Sequence, residues 1–130
     1  MKRYWLTPPE VYKKLDEEFH FDFDPCPYPK VNNGLVVPWG KMNYVNPPFR
    51  KKDGSGAGPT AFVRKAIEES SKGNSSFLVL PVQSYVNLLL DSGAELRSTG
   101  RIKWIETDTH KECKSPSPIC GFFLPGKELF

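Results

Sequence analysis

The residues best equipped for chemistry are Asn46-Pro47-Pro48-Phe49, which follow directly on Met42 to Val45, a short stretch of strand character. Two consecutive prolines fix the backbone and remove two N–H donors, so the segment offers carbonyl acceptors without matching donors. Asn46 adds a side-chain carbonyl, and Phe49 a flat face on which an aromatic base can stack. An exocyclic amine on such a base needs acceptors for both of its hydrogens. Asn46 Oδ1 and the Pro47 carbonyl are the expected pair, drawing the nitrogen lone pair away from the ring and towards a methyl donor. Asn cannot take up a proton, so the expected catalysis is by positioning and preorganised dipoles, without a general base. Taken alone, the tetrapeptide argues only for an amine-presenting pocket beside a strand end, and a rigid proline turn has the same signature.

The neighbouring elements give this segment its place. Thr7-Pro8-Pro9-Glu10 reads as a helix start, with Thr7 as N-cap and Pro8 as the first helical residue. Val11, Leu15 and Phe19 then form one apolar stripe. Phe21-Asp22-Phe23-Asp24 switches to a period of two, a short strand stopped by Pro25-Cys26-Pro27-Tyr28-Pro29. Val31 to Lys41 is a loop with an Asn33-Gly34 turn and a buried Trp39. Thr60 to Lys72 is helical, with Phe62, Val63, Ala66 and Ile67 on one side and Gly73 as its stop. Phe77 to Leu80 suits a central strand, Tyr85 to Leu90 a short helix ending near Gly93, and Ile102 to Ile105 and Ile119 to Leu124 further strands. His110 to Pro118 reads as a polar loop. Alternating strands and helices predict an α/β fold with a mostly parallel central sheet flanked by helices. In such sheets ligands bind beyond the carboxyl ends of strands, where Asn46 is expected.

The totals set the class. With 130 residues, 38% hydrophobic and 25% charged, the chain is expected to be a single globular domain, residues 1–130, without a separate target-recognition domain. No apolar run approaches the roughly 20 residues of a membrane span, and the first residues lack the apolar core of a secretory signal. A cytoplasmic protein, in a host cell if viral, is the expectation. A net charge of +3 permits nucleic-acid binding without demanding it. Three cysteines at irregular spacing do not form a disulfide framework. His110, Cys113 and Cys120 match no standard zinc pattern, so no metal is expected. Cys26 reads as packing, since no His adjoins it to activate a thiol. His20 reads as a helix-end residue, and Tyr85 and Trp104 as core or rim aromatics. Arg50, Lys51 and Lys52 adjoin the tetrapeptide and are placed to hold phosphates flanking a flipped base, whereas Lys111 and Lys114 read as solvated surface charges.

The order Trp5-x-Thr7-Pro8, Phe21-Asp22-Phe23-Asp24-Pro25-Cys26, Trp39, Asn46-Pro47-Pro48-Phe49 resembles the phage-type DNA N6-adenine methyltransferases. Leu80-Pro81, Gly100-Arg101-Ile102 and Ser117-Pro118 extend the resemblance over nearly the whole chain. It implies a reduced Rossmann-like methyltransferase fold, S-adenosyl-L-methionine as cofactor and adenine in DNA as substrate. By the same resemblance Asn46, Pro47 and Phe49 are catalytic. Pro48, Phe49, Arg50, Lys51 and Lys52 meet the substrate, and Thr7, Pro8, Asp24, Pro25, Cys26 and Asn46 lie at the cofactor. Asp24 suits a cofactor ammonium group, although a strand-end turn acid has the same appearance. The chain departs from methyltransferases in general at two points. Pro27-Tyr28-Pro29 stands where a Gly-x-Gly is usual. The segment between Asp24 and Met42 is too short for the usual second and third strands, so the acid that holds the cofactor ribose has no clear candidate. Two other readings stay open, a methyltransferase acting on RNA or a protein glutamine, and a non-catalytic nucleic-acid-binding relative. A partner subunit or a homodimer would supply target recognition.

Overall fold

The computed structural model describes residues 5–27, 33–47, 58–82, 85–99, 104–106, 112–113 and 119–127. Ten elements follow in order: β1 (Trp5–Leu6), α1 (Pro9–Phe19), β2 (Met42–Val45), α2 (Pro59–Ser71), β3 (Ser75–Pro81), α3 (Tyr85–Asp91), β4 (Glu95–Arg97), β5 (Trp104–Glu106), β6 (Glu112–Cys113) and β7 (Ile119–Leu124). The fold is mixed α/β. Its main sheet has the order β2-β3-β7-β4, and β1, β5 and β6 form a small antiparallel sheet.

β3 is the axis of the main sheet. From Ser76 to Pro81 every residue is buried, which requires cover on both faces and accounts for an unbroken apolar run rather than alternation. Phe77 and Val79 pack with Tyr44 against Val11, Tyr12, Leu15 and Phe19 of α1. Leu78 and Leu80 face the other way, with Val45, Phe122 and Leu124, onto Phe62, Val63 and Ala66 of α2 and Leu89 of α3. Each fully buried Val, Leu or Phe among them contributes about 1.5–3 kcal/mol by leaving water.

The expectation of a mostly parallel sheet needs correction. β2 and β3 pair in parallel, but β7 runs antiparallel to both β3 and β4. β2, β3 and β4 therefore point one way, and β7 is the single reversed strand between β3 and β4. The segment Phe21 to Asp24 falls short of a strand. It makes one parallel bridge, Phe23 to Asn43, supported by Asp22 N–H to Met42 O at 2.9 Å and Tyr44 N–H to Phe23 O at 3.0 Å. The proline run that begins at Pro25 stops the ladder from growing.

α1 begins one residue later than its sequence suggests. Pro8 is the N-cap and Pro9 the first helical residue, with no side-chain cap. The Pro8 carbonyl accepts from Val11 and Tyr12 N–H at 3.0 and 3.1 Å, which leaves the Thr7 hydroxyl for another task. His20 ends the helix in the left-handed region, φ 56°. α2 and α3 stop at Gly73 and Gly93, both at positive φ. β4 and β6 lie in stretches whose polar composition gave no strand signal, and β6 corrects the expected polar loop at Glu112-Cys113. No helix among the described residues is long and apolar enough to cross a membrane.

The entry to β2 is held by a buried amide. Asn43 is 0% exposed; its Oδ1 accepts from Gly40 N–H at 2.8 Å, and its Nδ2 donates to Gly40 O at 3.0 Å and Ser75 O at 2.9 Å. Asn43→Asp keeps the first bond and turns the other two into repulsion between oxygens. We expect it to cost about 3 kcal/mol at pH 7. Protonation restores a donor, so in urea unfolding the loss should shrink as pH falls towards 4. A loss independent of pH would show that the two donated bonds do not matter.

Candidate active site

Three chain segments ending at the same edge of the sheet build the site. The parallel bridge at Phe23 and the parallel β2–β3 ladder bring the carboxyl ends of these segments, at Asp24, Asn46 and Pro81, to one side. This is the side where a parallel arrangement leaves room for ligands. Thr7, between β1 and α1, reaches the same edge through its side chain.

Tyr44 gathers these groups, and it was not singled out from the sequence. It is 3% exposed, and its hydroxyl is hydrogen-bonded to Thr7 Oγ1. Asn46 Nδ2 donates to the same Thr7 oxygen at 3.4 Å. Burial holds the Tyr44 phenol well above the usual tyrosine value against the opposing Thr7 hydrogen bond, with smaller contributions in the same direction from Asp24, Tyr12 and Cys26. A signal was available. Tyr44 and Asn46 are two apart across a strand end, so period-two alternation puts them on one face.

Asp24 is half-buried. Its Oδ1 accepts from Cys26 N–H at 2.8 Å, a turn that both a strand-end acid and a ligand carboxylate would make. Burial pushes its carboxyl up to about 6, against the opposing effect of the Cys26 N–H. Ionised Asp24 is thus held at a cost that a cationic ligand would relieve.

The remaining expected residues divide clearly. Pro8, Pro25, Cys26 and Pro47 are buried, and Thr7 and Asn46 are half-buried. Cys26 packs in the core cluster that includes Trp39 and Phe62, as its sequence context suggested. The Pro8 carbonyl is committed to α1, so this residue can offer a ligand only apolar surface. Trp39 is buried, as expected, and donates from Nε1 to Gly34 O at 2.7 Å. That bond presses Gly34 onto the strand end, where an added Cβ would fall 2.0 Å from the Pro25 carbonyl oxygen. Glycine is thus needed at this crossing, contributed by the following loop rather than by a Gly-x-Gly after Asp24. Tyr85 turns inward, its hydroxyl donating to the Pro81 carbonyl, which makes it structural. Pro48, Phe49, Arg50, Lys51 and Lys52 lie outside the described residues, as do His110, Lys111 and Lys114. Among the described residues no cluster of His, Cys, Asp and Glu is arranged to hold a metal.

Burial of Asp24 has a measurable consequence for the ligand-free protein. Its folded pKa of about 6 lies above the ordinary unfolded value of about 3.9, so the folded state retains a proton that the unfolded state releases. Stability is therefore undiminished below about pH 4 and falls as pH rises to about 6, by roughly 2 kcal/mol. Asp24→Asn retains the acceptor for Cys26 N–H and removes this loss. Urea unfolding should find the variant as stable as wild type at pH 4 and about 2 kcal/mol more stable at pH 7; equal stability at both would mean that Asp24 is not desolvated.

Comparison with known proteins gives one curated relative, the DNA N-6-adenine-methyltransferase of Escherichia phage T1. It is 28% identical over 117 residues, covering 80% of this chain and 45% of the relative. This chain therefore spans less than half the length of the protein it matches. No family model matches, and no solved structure does. The similarity is distant.

Proposed function

We propose that this chain methylates the exocyclic N6 amine of adenine in DNA, using S-adenosyl-L-methionine. The observation that carries the reading is that Asn46 and the buried Tyr44 share the Thr7 hydroxyl at a strand end adjoining the one that carries a half-buried Asp24. Asn46 suits an amine and Asp24 a cation. The name of the phage relative supports the same reaction and substrate.

The cofactor's fit rests on Asp24. A carboxylate raised by burial gains most from an ammonium group, and S-adenosyl-L-methionine carries one. When bound, it supplies an electrophilic methyl group. Thr7, Pro8, Pro25 and Cys26 would line its site. Asn46 Oδ1 and the Pro47 carbonyl accept the two hydrogens of the adenine amine and turn its lone pair outward. Pro48 stiffens the segment, Phe49 stacks on the flipped base, and Arg50, Lys51 and Lys52 hold the flanking phosphates. Flipping costs a few kcal/mol, which stacking and phosphate contacts offset. The same reading takes residues 1–130 as one catalytic domain of Rossmann-like type, meeting DNA in the cytoplasm of a host cell. A second subunit, identical or not, would provide target recognition.

Incubation with labelled cofactor and DNA, RNA or protein, followed by mass spectrometry, tests the substrate. Label on adenine is expected; label on cytosine or glutamine sinks the assignment. No detectable heat on titration with S-adenosylhomocysteine would favour a non-catalytic nucleic-acid-binding module. Asn46→Ala should lower transfer about 100-fold or more and leave cofactor affinity largely intact; loss of both would make Asn46 structural. Because Asp24 must be ionised to pair with ammonium, affinity should weaken about tenfold as pH falls from 7 to 5, and calorimetry at the two pH values would detect this. Affinity that is constant across the range excludes Asp24 as the cation partner.

A further inference from the structure

We propose that Tyr44 is a positioning residue for Asn46, acting through the Thr7 hydroxyl to hold the Asn46 amide with its oxygen turned to the substrate. This rests on the reading of Asn46 as an acceptor for the adenine amine. It adds a residue outside the tetrapeptide on which that acceptor depends.

An amide has two ends of similar size, so sterics alone do not decide which one faces a ligand; hydrogen bonding does. Nδ2 of Asn46 lies 3.4 Å from Thr7 Oγ1, which puts Oδ1 on the opposite edge of the amide. Turned over, the amide would set its own NH2 against the substrate NH2, donor facing donor, and the acceptor would be lost. Thr7 alone does not select between these states. Its hydroxyl has one proton and two lone pairs, so it can accept from Nδ2 or donate to Oδ1.

Tyr44 removes that ambiguity. Its ring is fixed by Tyr12, edge-on with centroids 5.0 Å apart, and by Phe21 at 5.2 Å. The phenol oxygen therefore stands at a set point against Thr7 Oγ1. Thr7 Oγ1 accepts from Asn46 Nδ2, so its own proton is available to the phenol oxygen, and in the proposed relay Thr7 donates to Tyr44. With its proton committed to Tyr44, Thr7 meets Asn46 with a lone pair only, and Nδ2 is the end of the amide that satisfies it. Removing the phenol oxygen releases the Thr7 proton to donate to Asn46 Oδ1, which turns the amide over.

Tyr44→Phe removes one oxygen and keeps the ring packing. In steady-state methylation of DNA, kcat should fall about tenfold or more, while KM for DNA and the cofactor Kd stay within about threefold of wild type. Thr7→Val should lower kcat similarly, and the double variant should lose no more than the worse single one, because both substitutions break one relay. Independently of activity, the side-chain amide resonances of Asn46 in nitrogen-15 spectra should shift and exchange faster with solvent in Tyr44→Phe. Unchanged Asn46 resonances, or losses that add in the double variant, would overturn the proposal. If Tyr44→Phe does not fold, Thr7→Val carries the same spectral test. Wild-type protein that fails to methylate DNA would sink the adenine reading, while the resonance comparison would still decide whether the relay exists.

Discussion

The side chain of Asn43 does for the sheet what a short loop cannot do alone. Fully buried, it bonds the Gly40 backbone in both directions and reaches across to the Ser75 carbonyl, while Ser75 N–H returns to Lys41 O at 2.9 Å. Parallel strands have no hairpin to fix their register, which must come from packing and side-chain bonds. Here the start of β2 is tied to the start of β3 at one point. A slip of one residue would put Tyr44 and Phe77 on the wrong faces and move Asn46 out of reach of Thr7. The position of the candidate acceptor is thus fixed at the far end of the strand that carries it.

The polar groups at the strand ends are held by an aromatic assembly. Tyr12, Phe19, Phe21, Tyr44, Phe77 and Phe123 contact one another on the α1 face. Arg97 lies over Phe19 and pairs with Glu18 at 2.8 Å, joining the helix to β4 at the surface. Rings offer area with few rotatable bonds, so the phenol of Tyr44 emerges at the sheet edge with little freedom to move. Asp24 borders this apolar mass, and its raised carboxyl pKa follows from that placement.

Elements whose signal is local were legible in the sequence. Met42–Val45 and the three helices could be read because periodicity and stop residues lie within a few positions of one another, and β3 because burial on both faces leaves a continuous apolar run. β1, β4 and β6 are two or three residues long and exist because a partner strand is present, which no local pattern encodes. At the site, Asn46 was singled out by its prolines and Asp24 only through the family resemblance. Thr7 was read as a helix cap because Thr before Pro-Pro-Glu is the usual cap signature; the competing attraction of a buried phenol 37 residues away leaves no mark nearby. The direction of β7 was likewise hidden, since antiparallel and parallel strands share one composition.

The reversed strand also imposes an order on assembly. β7 is the last strand in the sequence, yet it sits between β3 and β4 and pairs with both. During synthesis β3 can meet β2 early, but β4 emerges with no ladder to join. Until Ile119 to Leu124 arrives, the nascent chain carries an open edge on a strand whose faces are strongly apolar, the kind of edge that templates association with other chains. A chain interrupted before Ile119 would therefore present an adhesive surface in place of a smaller version of the same domain, and chaperone demand during translation should be greatest in that interval.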